Sequence, residues 1–519
     1  MSAATEVVAG ARAAPRASAR AVTALAIFVF AFCAYLLTGG GRIVGSDEVT
    51  MLELSRAMLH GHLDVPEGAT LRGPDGKAYT KNAAGQALLA LPLVAAGELV
   101  AGLARLDEPR RSLAVRFVVS IFNAGVTALL LAVFYAAARS LGIGAAAALA
   151  ATLLLGFTTP VWVYAKSFMA EPLQALGLLL ALAGSAVAET RAARRLAAIG
   201  FLLAVSVKAS MGPLALVCAL PLLTIRGGRG FYPVLGAGAL ALAGHLLYDL
   251  ARFGNPLETG YGAQATPAAY TTPLLVGLYG LLISSGKGVL WYAPAIALAL
   301  PGWNRLRRSE PSARRAAVGI AGAWVVGLAL YATFEHWAGD GSFGPRYLVP
   351  LLPLAFLAVA FALDGGSRAT RRAAWMLGAL GLLVQVGGVS VHYGAEMREV
   401  GDYPYTRALN DPRFMGESHF NPAFSPIAAH WRMLLRNAGE HLRGDAPRLT
   451  GEGEADARVG IGAADQRRLL HALDYWWLYL LYAGLPLRLV APLLLVLIAV
   501  TMIAGLVLRR LATAEARAA

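Results

Sequence analysis

The chain has 519 residues, of which 57% are hydrophobic and only 15% charged, a balance that excludes a soluble enzyme and describes an integral membrane protein. Its net charge of +14, from 45 Lys and Arg against 31 Asp and Glu, falls in Arg clusters between apolar runs. It therefore reads as membrane orientation rather than nucleic-acid binding. Cys33 and Cys218 both lie inside apolar runs, which predicts neither a disulfide nor a cysteine metal site.

Residues 1–20 are rich in Ala and Arg and are expected to form a disordered cytoplasmic N-terminus. Residues 21–38 are the first apolar run, and with no A-x-A-like cleavage site after them they read as a retained span. Just beyond stands Gly45-Ser46-Asp47-Glu48, two adjacent carboxylates where a span ends. Met51, Leu52, Ser55, Met58 and Leu59 follow at helical spacing. Ser46 or Asp47 can cap that helix, and either carboxylate suits its positive end. Residues 86–103 are apolar enough to cross a membrane, but they carry Glu98 near the middle, where a charge is costly. A crossing there would also put the later Arg clusters on the wrong side. The run is therefore placed on the outer face, which makes 39–112 one long first periplasmic loop carrying surface helices.

Later spans follow from length and flanking Arg, at roughly 113–137, 142–158, 172–188, 196–207, 213–225, 232–250, 288–302, 316–334, 348–363, 374–394 and 485–508. The expectation is an all-α polytopic membrane protein with about 12 transmembrane helices and both termini in the cytoplasm. Residues 21–394 form the transmembrane catalytic module and 395–484 a second periplasmic segment. Residues 485–519 hold the last span and a cytoplasmic tail.

The external turns collect residues that a plain bundle does not need. They carry Tyr79-Thr80-Lys81-Asn82; Tyr164 to Pro172, with Lys166 and Glu171; Val207-Lys208; and Arg252-Phe253-Gly254-Asn255-Pro256. Further on come Ser284-Ser285-Gly286-Lys287-Gly288, then Glu335-His336-Trp337, then Gly344-Pro345-Arg346-Tyr347. Cations on this face run against the positive-inside bias, and an anion bound at the outer surface supplies a reason for them. Lys166 and Lys208, at helix ends, read equally as snorkelling side chains. The Gly-rich turn at Lys287 could cradle a phosphate. No Walker A, His-x-x-x-His or Cys-x-x-Cys pattern occurs. Trp162, Tyr164, Tyr261, Trp291, Tyr292 and Trp337 lie near the outer boundary, as interface anchors of which some could stack on a sugar ring.

In this order and spacing, over roughly residues 20 to 400, the motifs resemble the bacterial multi-spanning glycosyltransferases of the GT-C type. The branch is the one related to protein O-mannosyltransferases and lipid A aminoarabinose transferase. That family usually has Lys-Pro-Pro where this chain has Lys81-Asn82-Ala83. The aminoarabinose branch commonly has Asp where this chain has Glu171. The resemblance implies a GT-C-like bundle in the bacterial inner membrane and a polyprenyl-phosphate-linked sugar donor. It also implies an acceptor on the periplasmic side and a catalytic Asp in the first external loop.

Sugar transfer from a lipid phosphate needs a carboxylate base for the acceptor hydroxyl and fixed cations for the leaving phosphate. On this reading Asp47 is the base, and Glu48 or Glu171 positions the acceptor or tunes it; Glu48 as base with Asp47 binding remains an alternative. Lys81, Lys287, Arg346 and Lys208 hold the donor phosphate. Tyr79, Tyr164, Lys166, His336 and Tyr347 line the substrate. A single displacement inverts the anomeric centre, whether the sugar is a hexose or a pentose. No cofactor is required, although paired carboxylates suit a divalent cation. The expected partners are the donor, membrane lipids and a glycan, lipid or protein acceptor, with no nucleic acid. Two other classes fit less well. A flippase of lipid-linked sugars would show internal repeats, which are absent. A non-catalytic envelope scaffold would need no external acid–base set.

Overall fold

The computed structural model describes residues 3–67, 70–339, 341–402, 419–452, 454 and 460–518. Helix α1 (Ala3–Leu37) carries the first apolar run. It also takes in residues 3–20, where the sequence pointed to disorder; Ala is the strongest helix former and extends the helix outward. The first long connection holds α2 (Ser46–Leu59), a two-residue hairpin pairing Leu71 with Tyr79, α3 (Ala84–Leu103) and α4 (Arg110–Val119). The bundle continues with α5 (Phe122–Ser140), α6 (Ala145–Phe157), the single turn α7 (Val161–Tyr164), α8 (Glu171–Ala186), α9 (Arg191–Val207), α10 (Gly212–Ala219) and α11 (Tyr232–Phe253). Then come α12 (Leu274–Leu282), α13 (Val289–Tyr292), α14 (Ala299–Leu306), α15 (Pro311–Thr333), α16 (Leu352–Leu363) and α17 (Arg368–Ser390).

Eight helices of the described residues are long and apolar enough to cross a membrane, and three shorter apolar helices lie among them. The chain is thus an all-α multi-pass membrane protein. The span expected at 288–302 is broken into α13, a 3-10 stretch over Pro294–Leu298 and α14, because Pro294 has no N–H to continue the ladder. Helices α8 and α16 are the centre of the bundle; Leu352 to Ala362 are buried without exception. At the other extreme, only 11% of the apolar window of α22 (Leu487–Ala518) is buried within the protein, as expected of a helix whose solvent is lipid.

The first of the two segments expected to be external, 39–112, is a packed unit. Helix α3 lies against α2 and α4, and Glu98 at its far end is held by Arg56 at 2.8 Å and Arg111 at 2.7 Å. In the second, α18 (Tyr393–Asp402), α19 (Pro426–Leu442), α20 (Ala463–Arg468) and α21 (Trp476–Tyr482) fold back onto the bundle, with α19 against α17. The Trp476 and Trp477 indoles donate to the Leu36 and Leu37 carbonyls at 2.8 and 3.2 Å, acceptors that the end of α1 leaves without helical partners.

Candidate active site

Glu48 determines how α2 begins. One carboxylate oxygen accepts from the Gly45 N–H at 2.8 Å, reaching back from the first turn to the N-cap backbone. The other accepts from the Phe168 N–H at 2.5 Å, in the turn before α8. Both oxygens are committed to backbone, and the side chain is buried. A Cβ at residue 45 would sit 2.5 Å from that Glu48 oxygen and 2.8 Å from the Tyr393 hydroxyl, so any other residue here would push both side-chain ends aside. Burial pushes the Glu48 carboxyl above its ordinary value, against the two N–H donors.

Asp47 is the open member of the pair. Its side chain keeps 29% of its exposure, and its Oδ2 lies 3.3 Å from Arg346 Nη2. Arg346 opens a 3-10 turn over Arg346–Leu351. Through Nε it also donates to Glu171 Oε1 at 2.5 Å, so one guanidinium bridges two carboxylates. Glu171 is the first residue of α8, so the positive ends of α2 and α8 both carry an acid at the site. Glu171 Oε2 is buried with no hydrogen-bond partner among the described residues, a position that a ligand hydroxyl would satisfy.

Two lysines complete the ring. Lys208, between α9 and α10, sits 5.2 Å over the Tyr347 ring, and Lys81 sits 5.3 Å over the Tyr261 ring. Burial raises the Asp47 carboxyl, but Arg346, Lys81 and Lys208 together outweigh it and hold the group below the usual carboxylate range. Lys208 is pushed down, first by burial and then by Arg346. The bend carrying Lys81, just past the hairpin, is pinned from two sides. Asn82 Nδ2 donates to Thr50 of α2 at 3.0 Å, Tyr248 of α11 donates to the Asn82 carbonyl at 3.2 Å, and Arg252 donates to the Thr80 carbonyl. Arg252 and its motif are thus part of the frame rather than the site.

Asp47, Glu171, Lys81, Lys208 and Arg346 therefore come together, with Tyr347 as the platform under Lys208. Tyr164 lies beneath them, its hydroxyl donating to the Phe343 carbonyl at 3.3 Å. Other expected members are placed elsewhere. Lys287 Nζ donates to the Ser342 carbonyl at 2.7 Å and bears on Glu396. Tyr79 donates to Asp75 at 2.7 Å and packs on Phe253. His336 faces Gln264 and Glu335 at 3.0 and 3.5 Å. Lys166 is tied to Asp474 at 2.7 Å. In each case the polar head has a nearer partner, local for Tyr79 and for His336 with Glu335, distant in sequence for Lys287 and Lys166. Among the described residues no group of three or more His, Cys, Asp or Glu side chains could hold a metal ion.

No protein-family model and no curated protein matches the sequence. A solved structure of ArnT from Cupriavidus metallidurans bound to undecaprenyl phosphate aligns over 87% of this chain and 76% of its own, with a TM-score of 0.50 and 17% identity. The chain has the ArnT fold. ArnT in the apo state aligns over 89% and 77%, with a TM-score of 0.44 and 16% identity. The likeness is one of fold, a multi-pass helical bundle of the kind that the order of the motifs implied.

Proposed function

We propose that the protein is a glycosyltransferase that moves a sugar from a polyprenyl-phosphate donor to an acceptor on the periplasmic face of the bacterial inner membrane. The observation that carries this reading is the bridge Asp47–Arg346–Glu171 with Lys81 and Lys208 around it. The ArnT fold supports it, as does undecaprenyl phosphate bound to the related structure.

In the proposed step the acceptor hydroxyl oxygen bonds to the anomeric carbon while the bond from that carbon to the phosphate oxygen breaks. The hydroxyl proton passes to Asp47, and the electron pair leaves with the polyprenyl phosphate. A single displacement inverts the anomeric centre. Arg346, Lys81 and Lys208 stabilise the growing charge on the leaving phosphate. The same cations depress Asp47. A bound phosphate draws on their field and so returns proton affinity to Asp47 when the donor is in place. Glu48 is a positioning residue, since its oxygens are spent on backbone. No cofactor enters the step.

The test is turnover by the purified protein, assayed as release of polyprenyl phosphate from a panel of undecaprenyl-phosphate sugars in the presence of periplasmic-envelope acceptors. Release that depends on Asp47 supports the reading. No release from any donor by folded protein sinks it.

A further inference from the structure

The turn that leads into α8, residues 165–170, is held by side chains of three separate elements. Its Phe168 N–H is taken by Glu48 of α2 at 2.5 Å. The Phe168 carbonyl accepts from Gln86 Nε2, in the first turn of α3, at 2.6 Å. The next carbonyl, that of Met169, accepts from Asn123 Nδ2, in the first turn of α5, at 2.7 Å. Gln86 and Asn123 are both fully buried. The Phe168 ring is buried as well, in the apolar core of the first segment with Leu52, Ala90, Val94 and Val115.

The start of α3 touches the rest of the site as well. Gly85 abuts the end of α9 so closely that a Cβ would lie 2.5 Å from the Ser206 carbonyl oxygen, just before Lys208. Ser55 of α2 donates to the Ala87 carbonyl at 2.7 Å, and Lys81 stands just ahead of the helix. Asp47 is the neighbour of Glu48, and Glu171 opens the helix that the held turn leads into. Helices α2, α3, α5 and α8 are thus registered against one another around the Phe168 and Met169 peptide groups.

The chemistry of the two amides argues against a role in stability alone. Each spends its nitrogen on the turn, while its oxygen, Gln86 Oε1 or Asn123 Oδ1, is buried without a hydrogen-bond partner among the described residues. An unpaired buried oxygen costs about as much as the hydrogen bond returns. Replacing Gln86 by Met removes one unpaired oxygen and creates another at Phe168, so the balance of unpaired groups barely changes. What Met lacks is the means to fix the direction in which that carbonyl points.

We infer that Gln86 and Asn123 are positioning residues for the transfer, holding the turn so that Glu171 meets the Nε side of the Arg346 guanidinium while Asp47 meets Nη2. This rests on the transfer reaction proposed above. The two amides touch no reacting atom and act through Glu171. A shift of the turn would slide Glu171 along the guanidinium and turn Arg346 away from Asp47, and displacements of about 1 Å at a reacting centre can cost about 10²-fold in rate.

The experiment uses the full chain in lipid nanodiscs with Gln86→Met and Asn123→Leu, each of which keeps the volume and removes the donor. Both variants should bind undecaprenyl phosphate within about threefold of wild type. With a competent undecaprenyl-phosphate sugar, kcat per undecaprenyl-phosphate site should fall about ten- to a hundredfold, with the donor KM little changed. Pairing each variant with Glu171→Gln separates positioning from mere packing. If the amides act through Glu171, Gln86→Met added to Glu171→Gln should lower kcat by less than about twofold further. Losses that multiply, or less folded protein with kcat per site unchanged, overturn the inference. Hydrogen exchange read by mass spectrometry over residues 165–171 gives a measure independent of turnover, and it should quicken at least about tenfold in Gln86→Met with α16 unchanged. If the wild type turns over no donor, the proposed reaction fails and exchange decides the clamp: quickening confined to that turn upholds it, and unchanged exchange overturns it.

Discussion

Arg346 and Asp47, separated by 299 positions in the chain, meet at 3.3 Å, and the same guanidinium holds Glu171. The contact sets Asp47 and Glu48 apart in a way that mutation can read. Asp47→Asn keeps the size of the side chain and removes its basicity. Transfer should fall by about 10²–10⁴-fold with the thermal melt little changed. Glu48→Gln turns an NH₂ toward one of two backbone N–H donors and leaves a buried group unpaired. It should cost about 1–3 kcal/mol of stability, seen as a lower apparent melting temperature. Near-normal turnover in Asp47→Asn alongside an inactive, fully stable Glu48→Gln would reverse the two roles.

Arg346→Ala should weaken binding of undecaprenyl phosphate by about 2–5 kcal/mol, part of it the cost of two carboxylates left facing each other. Arg346→Lys should recover little, because one ammonium cannot span both acids as the guanidinium does. Lys287→Ala, whose parent ammonium is turned to Ser342, should leave that affinity within about twofold. Isothermal titration of the three variants distinguishes the assignments, and an equal loss in Lys287→Ala would return Lys287 to the phosphate site.

The charged cluster at the far end of α3 suits a membrane surface rather than hydrocarbon. Arg56 touches Glu53, Glu98 and Glu108, and Arg111 touches Glu98. If residues 39–112 are periplasmic, a cysteine replacing Glu108, whose side chain is 57% exposed, should react with a membrane-impermeant thiol reagent in intact spheroplasts. Background should be low, since Cys33 and Cys218 are buried. Labelling only after lysis would place this loop in the cytoplasm.

Glu396, on α18, is buried, and that burial pushes its carboxyl up to about 7, with Glu399 adding to the rise and Lys287 and Arg432 opposing it. In the folded protein it holds a proton that the unfolded chain has lost. Its contribution to stability is therefore full below the ordinary Glu value near 4.5 and is lost as pH rises through about 7. The whole effect is about 3 kcal/mol. Wild type should lose apparent melting temperature relative to Glu396→Gln between those limits. Parallel curves across the window would remove Glu396 as the cause.

How far the sequence foretells the site differs from residue to residue. Lys81, Lys208 and Arg346 were legible because cations on the outer face contradict the membrane's charge bias, and Asp47 because it follows a span. Lys166 carries the same signal, but its destination is Asp474, 308 positions away, and only the packed chain brings the two together. Tyr79 and Lys287 lie away from the Arg346 cluster, turned to Asp75 and Ser342. The helical bundle was legible from hydropathy, whereas the break at Pro294 and the extent of α1 depended on local propensity that hydropathy averages away.

Asp474 gives the chain an order of completion. It lies near the end of the sequence, yet it neutralises Arg42 from the first external loop and Lys166 from the second. During synthesis those cations emerge long before their counter-charge. Until Asp474 is in place, Arg42 and Lys166 are two uncompensated positive charges whose burial is costly. A chain that ends before Asp474 would therefore hold Asp47, Glu171, Lys81, Lys208 and Arg346 and still leave Arg42 and Lys166 without their counter-charge.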